Sequence, residues 1–243
     1  MKTLIKIVIL AALLATIPLK ASAKTLTVAV IDTGIDYRLP NLCRFGHKSF
    51  VPFLPDPLKD EHGHGSHVAG LISSNAGIGD YCLVSIKYYS DKAKDSDNGD
   101  RYLQAIQYAI NIHVDFINLS NGGEDYQPRE KDLIEQALGN GIKIVASAGN
   151  EGKNLGRHPF LNDGLDTCVY FPACYDNRIT VVGNIERSSL RSPSSNYGNY
   201  VKRWEIGTDV LSTLPGGRTG RMTGTSQSAG IATGKLIREA LYR

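Results

Sequence analysis

Apolar residues fall along the chain in two alternating kinds of segment, short β-branched runs and stretches of helical spacing. Thr25 to Ile31 (TLTVAVI) is one such run and ends in Asp32-Thr33-Gly34. A run with no polar alternation predicts a strand covered on both faces, delivering Asp32 at its carboxyl end. Leu83 to Tyr89, Val114 to Ser120, Ile142 to Ser147, Arg178 to Gly183 and Val210 to Leu214 are predicted strands as well. Small and apolar residues after His64 predict a helix beginning there. Asp100 to Ile112 puts Leu103, Ile106, Ala109 and Ile110 on one helical face, and Arg129 to Leu138 is amphipathic and stopped by Gly139 and Gly141. A last helix is predicted from Gln227 to Tyr242, with Leu236, Ile237, Ala240 and Leu241 at helical spacing. Strands alternating with helices predict an α/β fold: three layers, a doubly wound and mostly parallel sheet with helices on both faces.

Met1 to Ala23 stands outside this pattern. Lys2 and Lys6 precede an unbroken apolar run, Ile7 to Leu14, and small residues follow at Ala21-Ser22-Ala23. That is the layout of a signal peptide (residues 1–23), and the run is too short for a comfortable membrane span. A single domain is predicted over residues 24–243, secreted or periplasmic, with no membrane association after cleavage. Removing Lys2, Lys6 and Lys20 brings the 27 basic and 24 acidic residues into balance, so charge gives no reason to expect nucleic acid as a partner. Cys43, Cys82, Cys168 and Cys174 all lie in the exported part, where two bridges can form in three connectivities. Cys43–Cys82 with Cys168–Cys174 is preferred, because the second pair brackets one short loop. No Cys-x-x-Cys spacing points to zinc or redox chemistry.

Polar clusters collect beyond the carboxyl ends of the predicted strands, where α/β sheets place their ligands. They are Asp32, the start of the His64 helix, and Asn150, with Ser226 heading the last helix in Gly224-Thr225-Ser226. A serine hydroxyl needs a base to take its proton, and the base needs an acid to fix its tautomer. Ser226, His64 and Asp32 supply those three types, and Asn150 can donate an N–H to a developing oxyanion.

In these motifs the chain resembles the subtilisin-like serine proteases. The residues are Val30-Ile31-Asp32-Thr33-Gly34-Ile35, His64-Gly65-Ser66-His67-Val68-Ala69-Gly70, Ser120-Asn121-Gly122-Gly123, Ala148-Gly149-Asn150-Glu151-Gly152 and Gly224-Thr225-Ser226. The order acid, base, nucleophile is the order known for subtilisin. The resemblance implies a secreted endopeptidase acting on protein or peptide substrates. In it Asp32 orients His64, His64 serves Ser226, and Asn150 with the Ser226 N–H forms an oxyanion hole. Ser120, Asn121 and Gly122 hold an extended substrate through backbone groups. It also implies a cis Pro172 in Phe171-Pro172-Ala173, with Tyr170 beside the specificity pocket and restricting large side chains.

Several positions depart from the family pattern. Gly230 replaces a proline, Gln227-Ser228 replaces a Met-Ala-type pair, and Glu205-Ile206-Gly207 stands for Ala-Pro-Gly. Lys235 and Arg238 sit on a helix that is usually apolar, which predicts that it is more exposed or covered by a partner. Asp32 follows the predicted cut too closely for a folding propeptide, so a separate foldase or inhibitor is a possible partner. No cofactor and no metal ligand set is expected. Calcium at the Asn75 to Gly79 loop is the one candidate, with Asp80 the sole nearby carboxylate.

Three other readings compete. His62-x-His64-x-x-His67 has zinc-hydrolase spacing, although Ser66 stands where that motif carries an acid. Ser228 occupies the place of the second glycine in an esterase nucleophile elbow. A third reading keeps the fold and replaces cutting by binding: a catalytically weak or inactive relative that holds peptides or partner proteins. Asn118-Leu119-Ser120 matches a glycosylation acceptor, but it falls in a predicted core strand.

Overall fold

The computed structural model describes residues 24–93, 95–156 and 168–242, so the predicted signal peptide lies outside the described residues. In chain order the elements are β1 (Leu26–Asp32), β2 (Lys48–Ser49), α1 (His64–Ala76), β3 (Tyr81–Lys87), α2 (Asn98–Asn111), β4 (Phe116–Leu119) and α3 (Pro128–Gly139). There follow β5 (Lys143–Ser147), β6 (Thr180–Ile185), β7 (Arg203–Ile206), β8 (Val210–Leu214), β9 (Arg218–Met222) and α4 (Thr225–Leu241). Seven strands form one parallel sheet in the order β2-β3-β1-β4-β5-β6-β7, and β8 and β9 form a separate antiparallel hairpin.

β1 shows why its sequence carries no polar alternation. Ala29 and Ile31 point into a core that holds Ala105 and Ile106 of α2 with Ile134 of α3. Val28 and Val30 point the other way, against Val68 and Ile72 of α1 and Ile237 of α4. Both faces are covered, and each such side chain contributes about 1.5–3 kcal/mol by leaving water. The three-layer doubly wound sheet is the predicted fold.

Three strands were not legible as apolar runs. β2 has only two residues, β9 (RTGRM) is largely solvent-facing, and β7 (RWEI) carries Glu205 on its buried side. The strand predicted at Arg178–Gly183 runs instead over Thr180–Ile185, because Arg178 turns back to pair with Asp176 at 2.7 Å.

The expectation of an exposed or partner-covered last helix is corrected. Thr225 through Gly234 and Ile237 are buried against the sheet and α1. The helices approach closely because Gly234 has no side chain: a Cβ there would lie 2.4 Å from the Ile72 carbonyl oxygen and 2.7 Å from Asn75 Cβ. Gly234→Ala is therefore expected to destabilise the protein by about 1–3 kcal/mol despite alanine's better helix propensity, read as a lower denaturation midpoint. Lys235 reaches the buried carboxylate of Glu205 at 2.5 Å, and Arg203 reaches the same group at 3.0 Å. Two departures from the family pattern thus answer one another across the β7–α4 contact. Arg238 is exposed.

The disulfides are Cys43–Cys82 and Cys168–Cys174. The first ties the loop after β1 to β3, and the second brackets the segment that holds Tyr170 and a cis Phe171–Pro172 bond. Among the described residues no helix is long and apolar enough to cross a membrane.

Candidate active site

β1 ends at Asp32, and the chain then turns through Gly34 at φ 111° while α1 starts at His64. The two ends meet because Gly65 is bare: a Cβ there would lie 2.2 Å from the Gly34 carbonyl oxygen and 3.1 Å from Asp32 Cβ. His64 Nδ1–H donates to the Asp32 carboxylate, at 2.8 Å from Oδ1 and 3.0 Å from Oδ2. The Thr33 amide donates to Asp32 Oδ1 at 2.8 Å and helps to fix that carboxylate. Burial works to lower the basicity of His64, but the charge and hydrogen bond of Asp32, with Asp60 adding, outweigh it. The imidazole pKa stands above its ordinary 6.5.

Asp60 is a site residue that the sequence reading missed. Buried and without an ion-pair partner among the described residues, it accepts five hydrogen bonds, from Thr33 Oγ1, the amides of His62, Gly63 and Ser66, and Ser66 Oγ. It therefore caps α1 from outside the helix, at the end where a negative charge is favoured. Thr33 Oγ1 in turn accepts the Gly65 amide at 2.9 Å, so the loop after β1 and the start of α1 are fastened together around His64. The available signal was an acid shortly before the predicted helix start.

Ser226 is the second residue of α4 and is buried. Its Oγ–H donates to the Ser120 carbonyl at 2.9 Å, and Ser120 Oγ–H donates back to the Ser226 carbonyl at 3.1 Å. Among the described residues His64 Nε2 makes no hydrogen bond, so the serine hydroxyl rests on β4's end and not on the imidazole. The physical reason is the free carbonyl that Ser120 presents one residue past the last paired position of β4. Ser120, which Ser226 touches, lines a cleft of about 190 Å³ together with Asp32, Thr33, His64 and Asn121.

Asn150 Oδ1 accepts both the amide and the hydroxyl of Thr225, at 2.9 and 3.1 Å. Thr225 Oγ1 also accepts the Gly149 amide at 3.1 Å. These contacts fix the side-chain amide beside the first turn of α4 and leave its Nδ2, on an exposed residue, with no partner among the described residues. Thr225, which the sequence offered only as part of the serine motif, sets the direction in which Asn150 can donate.

Beyond Ser120 the chain passes through half-buried Asn121 to exposed Gly122, whose backbone makes no hydrogen bond among the described residues. Gly123 then pairs with Phe171 through bonds of 2.9 and 2.7 Å. Tyr170 fills the space between Gly122 and Gly149: a Cβ on either would lie 2.5 or 2.4 Å from its ring.

The three histidines at zinc-hydrolase spacing do not gather. His67 is buried and reaches the Gly220 carbonyl at 3.1 Å, His64 faces Asp32, and His62 lies 3.9 Å from Asp91. Burial lowers the His67 pKa, as expected for a neutral packed imidazole. Among the described residues no three His, Cys, Asp or Glu side chains come together as a metal would need. Asn118 is fully buried and accepts Thr233 Oγ1 at 2.9 Å, which removes it as a sugar acceptor.

The subtilase family model matches residues 23–238. The chain belongs to that family. This subtilase is 36% identical over 206 residues to subtilisin NAT of Bacillus subtilis subsp. natto, a match covering 83% of the chain and 51% of the relative. It is 33% identical over 224 residues to the major intracellular serine protease of Bacillus subtilis, covering 88% of the chain and 67% of the relative. The chain thus spans about half the length of the first curated relatives it matches. Among solved structures, a lanthipeptide protease superposes with a TM-score of 0.73 at 23% identity, covering 90% of this chain and 75% of that one. A cold-adapted subtilisin-like proteinase gives 0.70, also at 23% identity, with coverages of 88% and 74%. These structural likenesses bear on the fold.

Proposed function

We propose that this subtilase is an exported serine endopeptidase in which Ser226 attacks the peptide carbonyl, His64 carries the proton and Asp32 holds His64. The observation that carries the reading is the doubly contacted His64–Asp32 pair, with Nε2 free of hydrogen bonds among the described residues and Ser226 bonded to Ser120, which lines the same cleft as His64. The mechanism requires Ser226 Oγ to leave the Ser120 carbonyl and turn to His64 Nε2. As Oγ adds to the substrate carbonyl, Nε2 accepts its proton, and the new oxyanion faces Asn150 Nδ2 and the Ser226 N–H at the open end of α4. A donor such as Asn150 is worth roughly 10²–10³ in turnover. The adduct collapses when His64 returns the proton to the leaving amine, and water repeats the sequence on the acyl-enzyme. An extended substrate lies along Ser120, Asn121 and Gly122, using the free backbone edge at Gly122. Both base and nucleophile are side chains of the chain, so turnover is proposed to need no cofactor.

The resting bond from Ser226 to Ser120 favours a second reading, in which the site binds peptides without cutting them. A fluorophosphonate probe decides between the two. Labelling that requires both Ser226 and His64 supports the endopeptidase, and folded protein that never labels supports the binding module.

Two further results are expected. His64 must be neutral to accept a proton, and its pKa lies above 6.5, so kcat/KM should rise with pH through a midpoint above 6.5. Asp32→Asn removes the charge that raises it, so the residual activity should titrate at lower pH. Tyr170 takes up the room beside Gly122 and Gly149, so small residues should be preferred next to the scissile bond. Tyr170→Gly should raise relative kcat/KM on bulky peptides by about tenfold or more, as competition between paired peptides would show.

A further inference from the structure

One buried charge takes no part in the proposed mechanism. Lys87 ends β3, stands in register with Asp32 of β1, and has its side chain wholly out of water. A lysine is almost never fully buried unless it is paired. Its Nζ donates to the Lys59 carbonyl at 2.8 Å and to the carboxylate of Glu61. Both acceptors lie on the loop between β1 and α1, just ahead of His64.

The rest of β3 holds the same loop. Ser85 Oγ–H donates to the Pro57 carbonyl at 2.6 Å. Past the strand, the Tyr89 ring meets His62 edge to face at 6.0 Å, and Asp91 lies 3.9 Å from the same imidazole. Asp60 fastens the far end of the loop to α1, whose first residue is His64. On the other side, a Cβ at Gly34 would lie 3.4 Å from Lys87 Cδ, so the turn after Asp32 rests on the lysine stem. Lys87 thus sits beneath both pieces of chain that bring Asp32 and His64 together.

A charge is an expensive way to fill that space. A buried ion pair returns little net stability, and apolar side chains of similar volume often do as well or better. What a lysine adds over a methionine is direction, since its donors pin one carbonyl and one carboxylate in set places. A base that must meet Asp32 and Ser226 together gains from that, because misplacement by about 1 Å can lower turnover roughly 10²-fold.

We propose that Lys87 is a positioning residue for catalysis, which through Glu61 and the Lys59 carbonyl sets the loop that presents His64 to Asp32 and Ser226. This role rests on the endopeptidase reading of the site. Among the described residues the lysine's hydrogen bonds go only to that loop, so it acts through the placement of His64 and not on the reacting atoms.

The test compares Lys87→Met, Glu61→Gln and the double variant, with Ile134→Ala in the α2–α3 core as a control for stability loss alone. Peptide turnover is expressed per folded molecule. In each loop variant kcat should fall about tenfold to a hundredfold while KM stays within about threefold. The double variant should regain much of the unfolding midpoint lost by Lys87→Met, because no carboxylate is left stranded, yet its kcat should stay low. Should Lys87→Met fail to fold, Glu61→Gln decides, since it leaves Lys87 its bond to the Lys59 carbonyl.

The pH profile gives a second readout. Asp32 and Asp60 are the charges that raise the His64 pKa, and His62 and His67 are the other titratable groups beside it. Deleting a nearby cation would by itself move the kcat/KM midpoint up, whereas loosening His64 from Asp32 moves it down towards 6.5. The downward shift is expected for Lys87→Met. Unchanged kcat per folded molecule in the loop variants overturns the positioning role. So does a double variant whose activity returns along with its stability, an upward shift of the midpoint, or an equal loss of kcat in Ile134→Ala. Unmodified protein that neither cuts peptides nor takes up a fluorophosphonate probe overturns the endopeptidase reading itself, and the role of Lys87 falls with it.

Discussion

Ser226→Ala should abolish fluorophosphonate labelling and lower peptide turnover by roughly 10⁶-fold, the scale known for loss of the nucleophile in subtilisin. His64→Ala should match it, and the double variant should be no slower, because an unused base adds nothing once the nucleophile is gone. Asp32→Asn should cost less, about 10⁴-fold, since the imidazole remains and only its tautomer and its charge partner are lost. Stability should move little with Ser226→Ala: the lost hydroxyl made one bond, to Ser120, and that carbonyl keeps access to the cleft. Burst kinetics with an activated ester give the independent check, through one equivalent of acyl-enzyme per active site. Undiminished turnover in Ser226→Ala protein would place the chemistry elsewhere in the molecule.

Asp60→Ala should be the most damaging stability change near the site, at about 3–5 kcal/mol. The carboxylate is buried and satisfies three backbone amides and two hydroxyls, all of which would lose their acceptor at once. Asp60→Asn retains acceptor capacity on one oxygen and should lose roughly half as much. Activity should fall further than the folded fraction does, because α1 presents His64 from the end that Asp60 holds. Urea unfolding followed by circular dichroism, with activity measured per folded molecule, separates the two effects. A loss below about 1 kcal/mol for Asp60→Ala would show that water replaces the carboxylate at no great cost.

Much of this arrangement was legible from residue order because it follows from strand ends. β1 could be read from TLTVAVI since both its faces are apolar, and Asp32 could be placed because an acid directly follows that run. Cys168 and Cys174 could be paired because the segment between them is short, which left Cys43 and Cys82 for each other. Asp60 was not legible, since its bonds go mostly to backbone amides whose directions exist only after α1 has formed. The Ser226 hydroxyl's bond to Ser120 was not legible either, because the carbonyl it meets lies 106 positions earlier in the chain and the sequence says nothing of a side chain's torsion. Glu205 and Lys235 each looked anomalous alone, being thirty positions apart, and became intelligible only as a 2.5 Å pair. Lys87 was hidden for the opposite reason: a lysine at the end of a strand is so ordinary that nothing marked it as buried.

α4 comes after every strand in chain order, yet it packs through the middle of the molecule, on α1 and on the sheet, and it carries Ser226 near its first residue. A chain still emerging from the ribosome would hold Asp32 and His64 but have no alcohol to place beside them. Its half-built interior would also lack the rod that fills it. On the proposed mechanism the nucleophile and the helix that packs against α1 and the sheet would therefore arrive together, and a chain without α4 would have neither.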